Sequence, residues 1–591
     1  MPGALPAPVS SGGDPVSTWT ACKRIYRHLT GSHRRQAAAT MVLLLAGAVA
    51  ELATIGAVLP FLALITPGGL DTRYRGIGSV LDRLGALFGI GSVAVAALLL
   101  IAVAVLATII RLLLVWYGQK LVFTVAHELA SQIYATALAR PYSYHVASNS
   151  SDIIAGIEKV QFVLSSVLMP AMLAVTAAFV GTFMLIGLIV IDPVTACLLG
   201  ACFGALYACV SIFSRKRLHE NAAVISAAFR GRIQVVQEGL GGIRDVILDR
   251  SQPIFAAKFA AIDGRFRRAQ AANQFMAVVP RYTIESGSII LLAVTAIVVS
   301  TRPGGIVAAL PMLGALALGA QRLLPMIQQL YQGWTQIAGA RGAMADIAAL
   351  LDADRDRDGS GVAVAPLSRD VTFTAVAFRY SGGSQDVLRC VDLVIPRGAR
   401  IGLVGRSGSG KSTFVDLLMG LLIPTGGEIR VDGLTLNADA LASWQAQIAH
   451  VPQAIFLTDG SIAANIAFGR EPDDIDRDRV REAARLAELD GFIATLQDGY
   501  DTLVGERGVR LSGGQRQRIG IARAMYKQAR VLVLDEATSA LDAQTEASVI
   551  EAIRRLPGDL TVVAIAHRTS TLSFCDQILR VENGAIVPEH P

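Results

Sequence analysis

The stretch RIGLVGRSGSGKSTFVDLLMGLL (Arg400–Leu422) decides what the second half of the chain is. An apolar run ends in closely spaced glycines, and a second apolar run follows at once, so the order is strand, loop, helix. Glycines there let backbone N–H groups wrap phosphate oxygens at a helix N-terminus. Gly405, Ser407, Gly408 and Gly410 would line that cradle, and Lys411 would reach the β- and γ-phosphates of a nucleotide. Ser412 and Thr413 open the helix, with the Ser412 hydroxyl placed to ligate Mg²⁺.

Downstream, VLVLDEATSALD (Val531–Asp542) supplies a complement. Its aliphatic residues suit a buried strand; Asp535 at the end would hold Mg²⁺ through water, and Glu536 would orient or deprotonate the attacking water. LSGGQRQR (Leu511–Arg518) starts another helix, where Ser512, Gly513, Gly514 and Gln515 offer a second anion site. Phosphate loop, LSGGQ, acidic pair and a later histidine together resemble the signature set of ABC-type ATPases, from about Tyr380 to Arg568. By that resemblance Tyr380 stacks on adenine, Gln453 senses Mg²⁺ and the membrane domain, and His567 contacts the γ-phosphate. Asp542 ends a segment that crosses between subunits, and Glu506 lies in a loop that meets the membrane domain. Glu536, His567 and Gln453 are thus the expected catalytic group, with Ser412, Gln453 and Asp535 around the Mg²⁺ of an ATP. The family works in pairs, each LSGGQ completing the partner's phosphate loop, so the resemblance implies a homodimer.

The first half has a different solvent. The chain of 591 residues is 53% hydrophobic, and its long charge-free runs concentrate before residue 335. A bilayer core about 30 Å thick needs roughly 20 apolar residues per helix. Six candidate spans meet that need, at about 36–66, 89–117, 161–191, 194–216, 277–301 and 306–332. Short links join spans three to four and five to six, whereas the links after spans two and four are long, basic and helical in period. Basic residues collect on the cytoplasmic side, which puts the N-terminus, both long links and the ATPase part in the cytoplasm. The net charge of +6 is spent on those loops and argues against nucleic acid as a partner. Six cysteines show no metal-ligand spacing and read as structural.

The expected fold is multidomain: an all-α transmembrane domain of six helices followed by an α/β P-loop ATPase domain. Residues 1–35 would be a cytoplasmic tail and an interfacial elbow helix, 36–335 the transmembrane domain, 336–370 a linker and 371–591 the ATP-binding domain. Membrane part first is the order of the exporter type, a multi-pass protein of the bacterial inner membrane. In that type the long links carry coupling helices, here around Arg140–Val146 and Gly239–Val246, unless these stretches simply extend the spans. Asp71–Ile90 has the period of an amphipathic helix, at the outer surface or packed on the bundle.

Charges inside the spans speak to cargo. Arg111, Arg281 and Arg322 fall at one level, roughly 25–30 Å below the outer surface at about 1.5 Å per residue. Two readings stand: the guanidinium groups snorkel or pair, as Arg281 would with Glu285, or they line a cavity for an anionic headgroup. The contexts VAELATIGAVLPFLALIT, TIIRLLLVWY, AVVPRYTIESG and ALGAQRLLPMI resemble the bacterial lipid-linked oligosaccharide flippases, a type of ABC exporter. That resemblance implies ATP-driven transfer of a polyprenyl-pyrophosphate-linked oligosaccharide, an anionic amphipathic lipid, from inner to outer leaflet. It assigns the three arginines to the pyrophosphate. The alternative cargo is a peptide, toxin or hydrophobic small molecule.

Overall fold

The computed structural model describes residues 31–65, 83, 86, 89–191, 193–300, 305–351, 364–380, 383, 385–536, 543–556, 558–566 and 569–589. The N-terminal tail with its elbow helix, most of Asp71–Ile90 and most of the linker lie outside the described residues. The chain divides into two compact units: Met1–Arg140 with Ala147–Ala353, and Pro141–Val146 with Asp354–Pro591.

The first unit is helical. In order come α1 (Gly31–Ile65), α2 (Ser92–Ala139), α3 (Ser150–Val163), α4 (Met169–Ile191), α5 (Pro193–Gly241), α6 (Gln252–Ser300), α7 (Gly305–Gly339) and α8 (Arg341–Leu351). A single π-helical turn, Leu164–Leu168, joins α3 to α4. Each of the six spans read from the sequence falls largely within one of α1, α2, α4, α5, α6 and α7. Among the described residues, two stretches, Ser92–Ala139 and Ser150–Ile186, are long and apolar enough by themselves to cross a membrane.

The long basic links are not loops. At about 1.5 Å per residue, the 48 residues of α2 and the 49 each of α5 and α6 reach roughly 70 Å, more than twice a bilayer core. They run unbroken well beyond that length, and α2 and α5 end at sharp breaks. Arg140 adopts an extended backbone because Pro141 follows it, and the short helix Tyr142–Ala147 begins beyond. After α5, Gly242 breaks the chain before the short helix Ile243–Leu248. Both stretches singled out as coupling candidates are therefore separate short helices rather than plain extensions.

Close approach of backbones fixes the bundle. A Cβ placed on Gly333 of α7 would meet Ala174 Cβ at 2.7 Å and the Pro170 carbonyl oxygen at 3.0 Å, so α7 lies tightly on α4. Residues 336–351 read from composition as the start of a linker, yet α7 runs to Gly339 and α8 follows. Ala343, Met344, Ile347, Ala348 and Leu351 recur at helical spacing and are all buried. An ion cluster with one buried end pins this helix. Lys159 of α3, only 3% exposed, donates to Asp346 Oδ2 of α8 at 2.5 Å, and the Ser226 hydroxyl of α5 donates to the same oxygen.

The second unit is α/β. Its strands are β1 (Asp370–Phe378), β2 (Leu388–Pro396), β3 (Arg400–Val404), β4 (Gly426–Val431), β5 (Leu434–Thr435), β6 (Ile448–Val451), β7 (Val531–Asp535), β8 (Thr561–Ile565), β9 (Gln577–Glu582) and β10 (Ala585–Pro588). An antiparallel sheet has the order β2-β1-β4-β5; the second has the order β10-β9-β3-β8-β7-β6, parallel except for β10. Parallel strands covered on both faces carry continuous aliphatic runs. In β7, Val531 and Val533 enter one core while Leu532 and Leu534 enter the other. Burial pushes the Cys575 thiol up to about 12, which makes it an inert packing group.

Candidate nucleotide site and membrane cleft

Parallel pairing brings the chemistry to one edge of the six-stranded sheet. In open α/β sheets ligands bind beyond the carboxyl ends of the strands, and the loop after β3, Asp535 at the end of β7 and Gln453 just past β6 all lie there.

After β3 the loop turns on glycines that no other residue would replace easily. Gly405 has φ +149° and Gly410 φ +107°; a Cβ on Gly405 would sit 2.5 Å from the Val581 carbonyl oxygen. Gly410 leads into α9 (Lys411–Leu418). Lys411 is buried and curls back over the loop, its Nζ donating to the Gly405 and Arg406 carbonyl oxygens at 2.8 and 2.9 Å. The ammonium thus stands over the cradle, where incoming phosphate oxygens would replace neutral carbonyl partners with charged ones. Tyr380 anchors its hydroxyl on Thr413 Oγ1 at 3.1 Å and as a residue stays 40% exposed, as a base-stacking aromatic requires.

Glu536 follows β7 in the left-handed region at φ +48°, an uncommon conformation for a non-glycine residue. Its backbone N–H donates to Ile565 O at 3.1 Å, and Gln453 Nε2 donates to its Oε2 at 2.7 Å. Because β6 and β7 are neighbours, two residues 83 positions apart meet side by side. Burial and the adjacent Glu536 charge push the Asp535 carboxyl above the ordinary carboxylate range. Asp416 of α9 is pushed up to about 6, by burial first and Asp535 second. A carboxylate crowded by others in a half-buried place fits a cation that would relieve it. Ser412, Gln453 and Asp535 are all oxygen ligands, as Mg²⁺ prefers. Among the described residues no group of three His, Cys, Asp or Glu side chains could hold a metal alone.

LSGGQ begins α10 (Gly513–Lys527). Ser512 Oγ accepts from Gln515 N–H at 3.3 Å, and Gln515 Oε1 accepts from Ser512 N–H at 2.8 Å, a reciprocal cap. That cap fixes the Ser512 side chain at the helix start and leaves the Gly513 and Gly514 amides without a partner in their own helix, at the positive end of the dipole. Asp542 and His567 lie outside the described residues.

In the membrane unit two of the span arginines, Arg281 and Arg111, are paired. Arg281 Nε of α6 donates to Glu285 Oε1 at 2.8 Å, the i,i+4 pair expected from spacing. Arg111 of α2 pairs with Glu51 of α1, which spacing did not announce. Glu51 is 6% exposed while Arg111 remains 55% exposed, so the arginine neutralises a buried acid and still shows a free side to its surroundings. Arg322 lies in α7, with its side chain outside the described residues. Arg281 and Glu285 form part of the wall of a cleft of about 480 Å³, with α7 as the other wall.

Comparison with known proteins agrees with this division. A family model described as ABC transporter matches residues 388–539, and one described as ABC transporter transmembrane region matches 40–301. The chain is 32% identical over 482 residues to a protein of Chromohalobacter salexigens named ATP-dependent lipid A-core flippase, covering 80% of this chain and 81% of that one. A Burkholderia pseudomallei protein of the same name is 36% identical over 366 residues, covering 60% and 59% of the two chains. A solved structure titled as a bacterial Atm1-family ABC exporter with ATP bound superposes with a TM-score of 0.76 at 25% identity, over 94% of each chain.

Proposed function

The chain belongs to the ABC transporter family, as an exporter-type half-transporter whose membrane helices are fused to an ATP-hydrolysing domain; from that premise we propose that it flips an amphipathic lipid with an anionic head from the inner to the outer leaflet. The finer substrate is a polyprenyl-pyrophosphate-linked oligosaccharide, and the working unit is a homodimer in a bacterial inner membrane with its ATPase domains in the cytoplasm. The observation that carries this reading is Arg281 in the wall of a polar cleft within the membrane helices. A guanidinium fork already turned toward a carboxylate can exchange that partner for phosphate oxygens. Relatives named for lipid flipping support a lipid rather than a peptide.

The ATPase half supplies the drive. Tyr380 holds the base, the Gly405–Gly410 backbone and Lys411 bind the phosphates, and the Ser512 helix start of the partner closes over them. Ser412, Asp535 and Gln453 would hold Mg²⁺, which when bound would supply positive charge to offset that of the phosphates. Gln453 also orients Glu536, whose carboxylate would take a proton from the attacking water. His567 would read the γ-phosphate and Asp542 the partner subunit.

The test is reconstitution of the full chain in vesicles with a polyprenyl-pyrophosphate glycan. Arg281→Ala should cut substrate-stimulated ATP hydrolysis and flipping together; survival of both in that variant and in Arg111→Ala and Arg322→Ala would end the headgroup reading. Glu536→Gln should bind ATP and hydrolyse it about 10²–10⁴-fold more slowly, and brisk turnover would remove Glu536 from the role of general base.

A further inference from the structure

The cleft holding Arg281 has an unusual opposite wall. Gln321, Gln328, Gln329 and Gln332 of α7 line it, with Leu324 and Pro325 between them. Their spacing of three, four, seven, eight and eleven residues from Gln321 is that of a single helix face. No hydrogen bond to a described residue holds any of the four carboxamides. Pro325 has no N–H, so the Gln321 carbonyl lacks its helical partner on the same face.

Chemistry at this level ordinarily calls for other residues. Near the inner membrane surface the usual polar side chains are Lys and Arg, yet residues 323–340, LLPMIQQLYQGWTQIAGA, carry no charge at all. A carboxamide donates two hydrogen bonds and accepts at its oxygen. Four in a row, plus a backbone acceptor, make a surface that both gives and takes hydrogen bonds without charge. The other face of α7 is committed to packing, with Leu323, Tyr331 and Thr335 buried and Gly333 against α4. The glutamines are thus not part of the bundle's own adhesion.

We propose that this row is a selectivity subsite for the hydroxyl groups of a sugar, next to the phosphate ligand Arg281. Hydroxyls are donor and acceptor at once and match carboxamides in both directions, whereas a bare phosphate engages only donors. A lipid carrying phosphate and saccharide meets Arg281 with the first and Gln328, Gln329 and Gln332 with the second. Glu285 accepts from hydroxyls when Arg281 turns to phosphate. This rests on the lipid-flipping reading and deepens it, by making the glycan, not only the pyrophosphate, a determinant of recognition.

The experiment uses the full chain in nanodiscs and two probes: undecaprenyl pyrophosphate, and the same lipid carrying one N-acetylhexosamine. The half-saturation concentration for stimulated ATP hydrolysis is measured for each. The wild type should respond to the glycosylated lipid at about tenfold lower concentration than to the bare one, the effect of two or three neutral hydrogen bonds in a wet cleft. Gln328→Ala/Gln332→Ala should bring the ratio of the two values close to one, and Gln328→Asn/Gln332→Asn should restore part of it. If the variants fail to fold, as judged by size-exclusion profile, the isosteric Gln332→Glu takes their place. Its carboxylate accepts but cannot donate and repels the pyrophosphate of both probes alike, so it should bring the ratio several-fold closer to one. A wild type stimulated equally by both lipids, or variants that keep the wild-type ratio, would overturn the sugar subsite and leave the flippase reading standing. A wild type stimulated by neither lipid would remove both.

Discussion

Replacing Asp346 by alanine strips the carboxylate from a lysine that has almost no access to water. Lys159 is 3% exposed and Asp346 40% exposed at the side chain, so the two ends of the pair stand in different solvents. Breaking a buried pair from one side costs about 3–5 kcal/mol, because the surviving charge is left desolvated. Water already reaches Asp346, which favours the lower end, about 3 kcal/mol for Asp346→Ala. Lys159→Met keeps the volume and leaves a carboxylate that water can reach and that still accepts from Ser226, so about 1 kcal/mol is expected. Lys159→Met/Asp346→Leu removes both charges and should return to within about 1 kcal/mol of the parent, or exceed it. Thermal unfolding of the purified chain in lipid and detergent, read by the loss of the folded size-exclusion peak, ranks the variants. The expected order, most to least stable, is double variant or parent, then Lys159→Met, then Asp346→Ala. Equal losses in the two single variants, or a double variant no better than Asp346→Ala, would refute the argument from unequal burial.

Asp416 gives a pH signature. Its carboxyl, raised to about 6, binds a proton more tightly in the fold than in the unfolded chain, so stability falls as pH rises from about 4 to about 6 and stays lowered above. Asp416→Asn should therefore stabilise the nucleotide-free chain at pH 8 by about 1 kcal/mol, after a discount for partial exposure, with the gain gone near pH 4; pH-resolved unfolding curves measure it. Glu51→Gln should be tolerated better than Arg111→Ala, since the first removes the buried charge and the second abandons it. Glu51→Gln/Arg111→Gln should recover the expression level and melting behaviour that Arg111→Ala alone loses.

Local spacing made the ATPase half readable. Strand, glycine loop and helix follow one another within Arg400–Leu422, and the structure keeps that order from β3 into α9. Arg281 and Glu285 were legible for the same reason, four residues apart on one helix. What escaped depends on contacts remote along the chain. Glu51 and Arg111 sit on different helices, 60 positions apart, and no local spacing links them. Lys159 and Asp346 meet across 187 positions. Asp346 lies where falling hydropathy after Gly333 reads as linker, although the period of Ala343, Met344 and Ile347 carried a helix. The glutamine face of α7 has a signal too, Gln328 and Gln329 four and three residues before Gln332 in a charge-free stretch, but uncharged amides carry no mark of a ligand by themselves.

The place of β3 in its sheet also governs how the domain comes into being. Its two hydrogen-bonded neighbours, β8 and β9, are drawn from residues 561–582, more than 150 positions further along the chain. While a ribosome is still making β7, the strand that presents the glycine loop has neither side paired, and its aliphatic residues have no sheet to enter. Such non-local pairing is slow and exposes strand edges in the meantime. Every phosphate-binding motif up to Glu536 can be synthesised without yielding a nucleotide site. A nascent chain stalled before Thr561 is, in this respect, a client for chaperones and not yet an ATPase.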